Sequence, residues 1–390
     1  MPSLAIHTGR ALTPHTEIPD AAILLDDDRI RAVGPRAGME LPPGTREIDA
    51  RRLLAAPGFV DVHIHGAAGR DAMEATPEAL TGIAACIARH GTASFLATTV
   101  SAGVPETLRS LEGLAVAIRA HHANAQPAAE CLGVHLEGPF LSPARRGVHP
   151  PEHLIPPSPG VLARFLAAAG GFARILTLAP ELPGAAETIA AARSAGLVVS
   201  MGHTDATYSE AIRAIEQGAC HAAHVYNAMR PFSHRETGVI GAVLTDPRVT
   251  AEVIADGVHV DDPALRLLLA AKSAEGVLLV SDGTAATGMP DGNYQLGSIE
   301  VTVTGGVCRN REGRIAGSTL TLDRAVRRMV ALGLPATAAV QMATANPARL
   351  LGIEARKGRL VPGADADIVL FDSAFNVSRV FLRGRALEHA

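Results

Sequence analysis

Eight short apolar runs separated by helical stretches constrain this chain more than any other feature. The runs are Gly58–Ile64, Ala93–Thr98, Cys131–Leu136, Ala173–Leu178, Leu197–Met201, Ala219–Ala223, Thr250–Ile254 and Val277–Val280. Helical candidates stand between most of them: Pro77–His90, Pro105–His121, Gly160–Ala169, Ala185–Ala195, Ser209–Gln217 and Pro263–Ser273. Runs this short suit buried parallel strands, and the intervening stretches are long enough to cross back over a sheet. Eight such alternations within about 230 residues predict a TIM-like (β/α)8 barrel in an α/β chain. A composition of 47% apolar and 19% charged residues over 390 positions supplies the large core that a barrel needs.

The two ends read differently. Ala21–Leu25, an Asp26-Asp27-Asp28 turn and Arg29–Val33 suggest a hairpin, followed by a loop at Leu41–Thr45. Near the other end, Ala366–Phe371 and Val377–Leu382 read as further strands. Neither set can bury a face alone. The expectation is one small β-sandwich domain shared by both termini: residues 1–56 and 357–390 around a catalytic barrel of 57–356.

A net charge of −4 argues against nucleic acid or an anionic membrane surface as partner. No run of 18 apolar residues occurs, and Met1–Arg10 lacks the basic and apolar regions of a secretory signal. Cys86, Cys131, Cys220 and Cys308 lie far apart without a CxxC pair, as expected of reduced thiols in a cytoplasmic protein.

Chemistry gathers at the C-terminal ends of the runs, where barrel enzymes build their sites. The first ends His63-Ile-His65, the third His135-Leu-Glu137, the fifth Gly202-His203-Thr204-Asp205 and the sixth His224. The seventh leads to Asp256-Gly-Val-His259 and the eighth to Ser281-Asp282. Spacing of two places His63 and His65 on one strand face. Taken singly, each histidine also reads as a satisfied rim residue, and Glu137 as a salt-bridged rim acid. Together His63, His65, Glu137, His203 and His224 form the nitrogen and oxygen donor set of zinc or iron(II). Asp282 suits proton transfer beside such a set, with a helix N-cap as its alternative. Ser209 reads as the cap of its helix, Cys131 and Cys220 as core residues, and Arg145-Arg146 and Arg327-Arg328 as solvated faces.

Several longer motifs carry a resemblance. They are Pro57–Gly66, Leu136-Glu-Gly-Pro-Phe140, Arg146-Gly-Val-His149, Met201-Gly-His-Thr-Asp205, His224-Val-Tyr-Asn-Ala-Met229 and Ala255-Asp-Gly-Val-His259. With Ala316-Gly-Ser318, Ala345-Asn-Pro347 and the tail Lys357–Asp367, they resemble the N-acetylglucosamine-6-phosphate deacetylases of the amidohydrolase superfamily, over about residues 5 to 385. The resemblance implies metal-dependent cleavage of the acetamide at C2 of the sugar phosphate. It implies Glu137, His203 and His224 as metal ligands, Asp282 as general acid and base, and His149 as the group polarising the substrate carbonyl. Val148, Asn227, Ala228, Arg235, His259 and the Ile315, Ala316, Gly317 stretch would contact substrate. Arg235 would reach the partner's site in a homodimer. Some members have Gln-x-Asn in place of His63-Ile-His65 and hold one metal; this chain resembles the branch with two. No lysine stands at these strand ends to bridge the metals, since Lys272 and Lys357 lie elsewhere, so Glu137 would do so. The galacto epimer as substrate, a cyclic-amide hydrolase and a non-catalytic scaffold are the alternatives.

Overall fold

The computed structural model describes residues 3–13, 16–124 and 127–387. Eight parallel strands form one sheet in chain order: Phe59–Ile64, Thr92–Thr98, Glu130–Glu137, Ala173–Leu178, Val198–Met201, His221–Ala222, Thr250–Val253 and Val277–Leu279. Each lies within a residue or two of an apolar run. The last strand returns to the first through Asp282 N–H, which donates to the His63 carbonyl at 2.9 Å, and His65 N–H, which donates to the Gly283 carbonyl at 2.8 Å. This closure brings His63, His65 and Asp282 together although more than 200 residues separate them in sequence.

Helices Pro77–Ala88, Val104–Ala123, Pro159–Ala168, Ala185–Ser194, Tyr208–Gln217 and Asp262–Lys272 occupy the expected places. Their starts have local causes. Thr76, Ser158 and Asp261 accept backbone N–H groups, with proline in the first turn of each helix. The cap expected at Ser209 is instead Thr207. Its hydroxyl accepts Glu210 N–H at 3.3 Å while the Glu210 carboxylate accepts Thr207 N–H at 2.8 Å, so two otherwise unpaired donors are satisfied reciprocally. Ser209, two residues further in, lies inside the helix.

Four helices were not anticipated: Gly238–Thr245, Leu322–Ala331, Ala336–Ala343 and Ala345–Leu350. Gly238–Thr245 is buried at seven successive positions from Gly238 to Leu244, so it shows no amphipathic period. A three-stranded antiparallel sheet, Gly292–Leu296, Ile299–Thr304 and Val307–Asn310, is inserted after the last barrel strand. It packs Leu296, Val301, Val303 and Cys308 on Val100, Ala286 and Ala316 beside the barrel mouth.

The terminal strands form a single seven-stranded sheet. Its order is Arg385–Ala386, Val377–Leu382, Ile368–Phe371, Arg46–Pro57, Leu4–Leu12, Glu17–Asp26 and Arg29–Pro35. Ile368 pairs with Pro57 and Phe371 with Leu54, which joins the two ends of the chain. Ile6, Ile23, Leu25, Ile30, Ile368, Leu370 and Phe381 give this sheet a core of its own. Buried Lys357 lies 2.8 Å from Glu130 on the third barrel strand, 2.9 Å from Asp365 and 2.8 Å from Asp367, pinning the return segment to the barrel.

Candidate metal centre and active site

Glu137 occupies the middle of the barrel mouth. Its Oε1 lies 3.4 Å from His63 Nε2, 3.2 Å from His203 Nε2 and 3.0 Å from His224 Nε2. Its Oε2 lies 3.3 Å from His65 Nε2 and 3.5 Å from His149 Nε2. Asp282 Oδ1 completes the group, 3.2 Å from His65 Nε2 and 3.6 Å from His63 Nε2. All of these side chains are buried.

Backbone conformation aims them. His203, His224 and Asp282 have φ values of 47°, 26° and 49°, in a region that residues with a Cβ seldom adopt. Such strain concentrates where surrounding contacts hold a functional geometry. The chain after Asp282 runs into a turn and no helix starts there, so the N-cap alternative for this residue does not hold.

Hydrogen bonds on the far side of His63, His65, His203 and His149 place the proton of each neutral ring. His65 Nδ1–H donates to the Thr98 carbonyl at 3.3 Å and His203 Nδ1–H to the Arg145 carbonyl at 3.1 Å. His63 Nδ1–H donates to Glu252 Oε2 at 2.9 Å. In its neutral form each of these rings therefore keeps a lone pair on Nε2, toward Glu137. His149 is the opposite case. Its Nδ1 accepts Ser101 N–H at 3.3 Å and lies 2.9 Å from the Ser101 hydroxyl, so the neutral ring carries its proton on Nε2, facing the cavity.

The electrostatics follow from crowding. Burial would raise the Glu137 pKa, but the surrounding imidazoles hold it well below the usual carboxylate range. Burial opposes charge on His65, yet Asp282 and Glu137 outweigh it and raise its pKa to about 9. Burial and the neighbouring His149 push His203 down to about 4, keeping it a neutral donor. His63 Nε2, 3.4 Å from Glu137 and 3.6 Å from Asp282, is buried without a hydrogen-bond partner, and His224 presents Nε2 to Glu137 at 3.0 Å. Buried lone pairs facing carboxylates are what a cation would satisfy, so the donor set fits a divalent metal. Among the described residues, potential ligand atoms converge in three groups at the mouth: His63, His65 and Asp282; His63, Glu137 and His224; and Glu137, His149 and His203. A fourth group, His63, His135 and Glu252, is closed by hydrogen bonds: His135 contacts the Val62 carbonyl at 2.9 Å and Thr177 Oγ1 at 2.7 Å.

A cavity of about 270 Å³ opens above the centre. Val148, Asn227, Ala228, His259, Ile315 and Gly317 line it with His65, His149, His203, His224 and Asp282. Ala316 is fully buried behind that wall. Arg235 stands on the exposed Phe232–Glu236 segment, away from the lining. Glu236, its possible surface partner, instead accepts Tyr208 N–H at 2.9 Å and Gly238 N–H at 3.0 Å.

Some contributors were not anticipated. Arg145 is no solvated face: its Nε donates to Asp205 at 2.7 Å, and Asp205 also pairs with Arg230 at 2.9 Å. Arg146 pairs with Glu312, and Arg314 donates to the Gly147 carbonyl at 2.9 Å. The loop bearing His149 is thus held from both sides. Ser101 carried no sequence signal. Glu252 did, as a lone acid inside an apolar run.

The amidohydrolase family model matches residues 54–387. The chain belongs to the amidohydrolase family. This amidohydrolase is 37% identical over 377 residues to N-acetylgalactosamine-6-phosphate deacetylase of Escherichia coli O157:H7, covering 96% of this chain and 97% of that one. It is 36% identical over 384 residues to N-acetylglucosamine-6-phosphate deacetylase of Bacillus subtilis (strain 168), covering 98% and 96%. Among solved structures, a mutant N-acetyl-D-glucosamine-6-phosphate deacetylase from Mycobacterium smegmatis in complex with N-acetyl-D-glucosamine-6-phosphate superposes with a TM-score of 0.91 at 37% identity, over 99% of each chain. No helix among the described residues of the amidohydrolase is long and apolar enough to cross a membrane.

Proposed function

We propose that this amidohydrolase removes the acetyl group of N-acetyl-D-glucosamine 6-phosphate, giving D-glucosamine 6-phosphate and acetate. The observation that carries the reading is the convergence of five imidazoles and Asp282 on Glu137 beneath a substrate-sized cavity. The relatives' activities supply the substrate class.

Glu137, His203 and His224 would hold one divalent cation, and His63 and His65, sharing Glu137, a second. Zinc and iron(II) suit this donor set equally. A bound cation would lower the pKa of a water toward neutrality and polarise the amide carbonyl. Asp282, ionised and beside the centre, accepts the proton of the attacking water. His149 Nε2–H donates to the oxygen that gains charge as the carbonyl becomes tetrahedral. Asp282 then returns the proton to the departing amine. Asn227, Ala228, His259 and the Ile315–Gly317 wall would orient the sugar.

Arg235 would serve the phosphate of the partner's site in a homodimer, a role suited to its exposed position and to the planar, forked guanidinium. Arg235→Ala should raise KM for the phosphorylated sugar and hardly alter it for the unphosphorylated one. Mixing Arg235→Ala with Asp282→Asn chains should restore one working site per heterodimer. No gain after confirmed subunit exchange would rule out the shared site. The four cysteines are free, which supports a cytoplasmic setting.

The galacto epimer is a second reading, favoured by the 37% identity to the E. coli enzyme. Acetate release from a panel of N-acetylhexosamines, with and without the 6-phosphate, tests both. Turnover confined to an unphosphorylated sugar or a cyclic amide would overturn them. Two metal equivalents per chain are expected, falling to one in a His63→Gln, His65→Asn double variant.

A further inference from the structure

Glu252 lies on the seventh barrel strand, fully buried directly beneath the metal centre. A carboxylate so placed is stable only when its oxygens are hydrogen-bonded. Oε2 accepts His63 Nδ1–H at 2.9 Å and the backbone N–H of His224 at 3.2 Å. Oε1 lies 2.8 Å from His221 Nε2, and His221 Nδ1 lies 2.7 Å from the Thr250 hydroxyl. Glu252 is therefore engaged on both oxygens and buttressed from below, which leaves it unsuited to ligate a cation itself.

The rings around Glu137 are not supported alike. His65 and His203 are oriented by backbone carbonyls, those of Thr98 and Arg145. His63 alone among the three rests on an ionisable side chain. Its other nitrogen, Nε2, is buried without a hydrogen-bond partner. A carboxylate on the far nitrogen of an imidazole fixes its tautomer and makes it a stronger donor, and removing such a partner typically weakens metal binding about 10- to 100-fold.

We infer that Glu252, buttressed by His221, is a positioning residue that selects the metal-ligating tautomer of His63 and so sets the affinity of the second cation, the one held by His63 and His65. This rests on the two-cation reading above. Glu252 touches neither substrate nor cation; it acts through one ring.

Metal content and visible absorption of the cobalt(II)-loaded enzyme, followed against graded chelator, test the inference. Wild type should hold two equivalents that are released separately. In Glu252→Gln, which cannot satisfy its neighbours as an ionised carboxylate does, the more weakly held ion should lose affinity about 10- to 100-fold, with loss of its share of the cobalt spectrum. The ion of Glu137, His203 and His224 should be retained with affinity within about threefold. If Glu252→Gln does not fold, Glu252→Asp carries the same test, because it keeps the charge and withdraws it by one methylene. A wild type with one equivalent would overturn the two-cation reading and the inference with it. Two equivalents in wild type and in the variant, with unchanged affinities, would overturn the inference alone. So would equal weakening of both ions, which would place the effect in the His224 backbone contact.

Discussion

Asp282 illustrates how a single residue acquires its role here. Its φ of 49° turns the carboxylate toward His65, while its N–H is held by the His63 carbonyl. Asp282→Asn keeps the shape but neither accepts nor returns a proton. Turnover should fall about 100-fold or more, with substrate binding retained; a kcat within threefold of wild type would assign the proton transfer elsewhere. In the proposed mechanism His149 would contribute a donor instead of a base, since both Ser101 groups face its Nδ1. His149→Phe should lower kcat about 100- to 1,000-fold and leave the metal content unchanged, a pairing that separates an oxyanion donor from a ligand. The residues proposed as ligands were legible in sequence because each ends an apolar run. Ser101 was not, because its contact spans 48 residues and comes from a loop without a motif.

At the scale of elements, local chemistry set several helix starts. The Thr207-Tyr-Ser-Glu210 capping box starts its helix through contacts three residues apart. Thr207→Ala should cost about 1 kcal/mol, read as a lower urea midpoint at unchanged slope. A midpoint equal to wild type would mean the helix start is held by packing alone. Leu322–Ala331 buries Leu322, Ala325, Val326 and Met329, a helical spacing that the sequence displays. Gly238–Thr245 shows no such pattern because barrel and neighbours cover all of its sides. The inserted three-stranded sheet was obscured by its polarity, since only one face packs while the other meets solvent.

For the whole molecule, charge is buried at two places, the junction around Lys357 and the barrel mouth. Lys357 pairs with Glu130, Asp365 and Asp367 at the junction of barrel and terminal sheet, and Arg356 shares the first two. Lys357→Met would leave those carboxylates without their buried cation and should destabilise the fold by about 3–5 kcal/mol, measured by thermal or urea unfolding. The candidate metal centre adds a pH dependence. Without a cation, the His65 pKa is raised from 6.5 to about 9. Its pairing with Asp282 and Glu137 contributes fully below pH 6.5 and is lost as pH rises through about 9. A bound cation needs the neutral ring, so it displaces that proton, and its affinity should rise over the same interval. The Tm of loaded over metal-free protein should therefore widen between pH 6.5 and 9. A constant difference would show that His65 carries no proton in the metal-free fold.

The sequence by itself determined the barrel, because eight apolar runs alternating with capped amphipathic helices have few other ways to bury their surface. It also determined the kinds of atoms at the mouth, since parallel strands bring all their C-terminal ends to one side. Tertiary structure decided how those atoms work together. Closure of the last strand on the first sets Asp282 against His65, and a loop held by Asp205 and Arg314 presents the protonated nitrogen of His149. The position of Glu252 beneath His63 is of the same kind: 189 residues separate the two, and only strand order makes them neighbours. Ring orientation, proton placement and charge balance depend on such distant contacts, which no local pattern encodes.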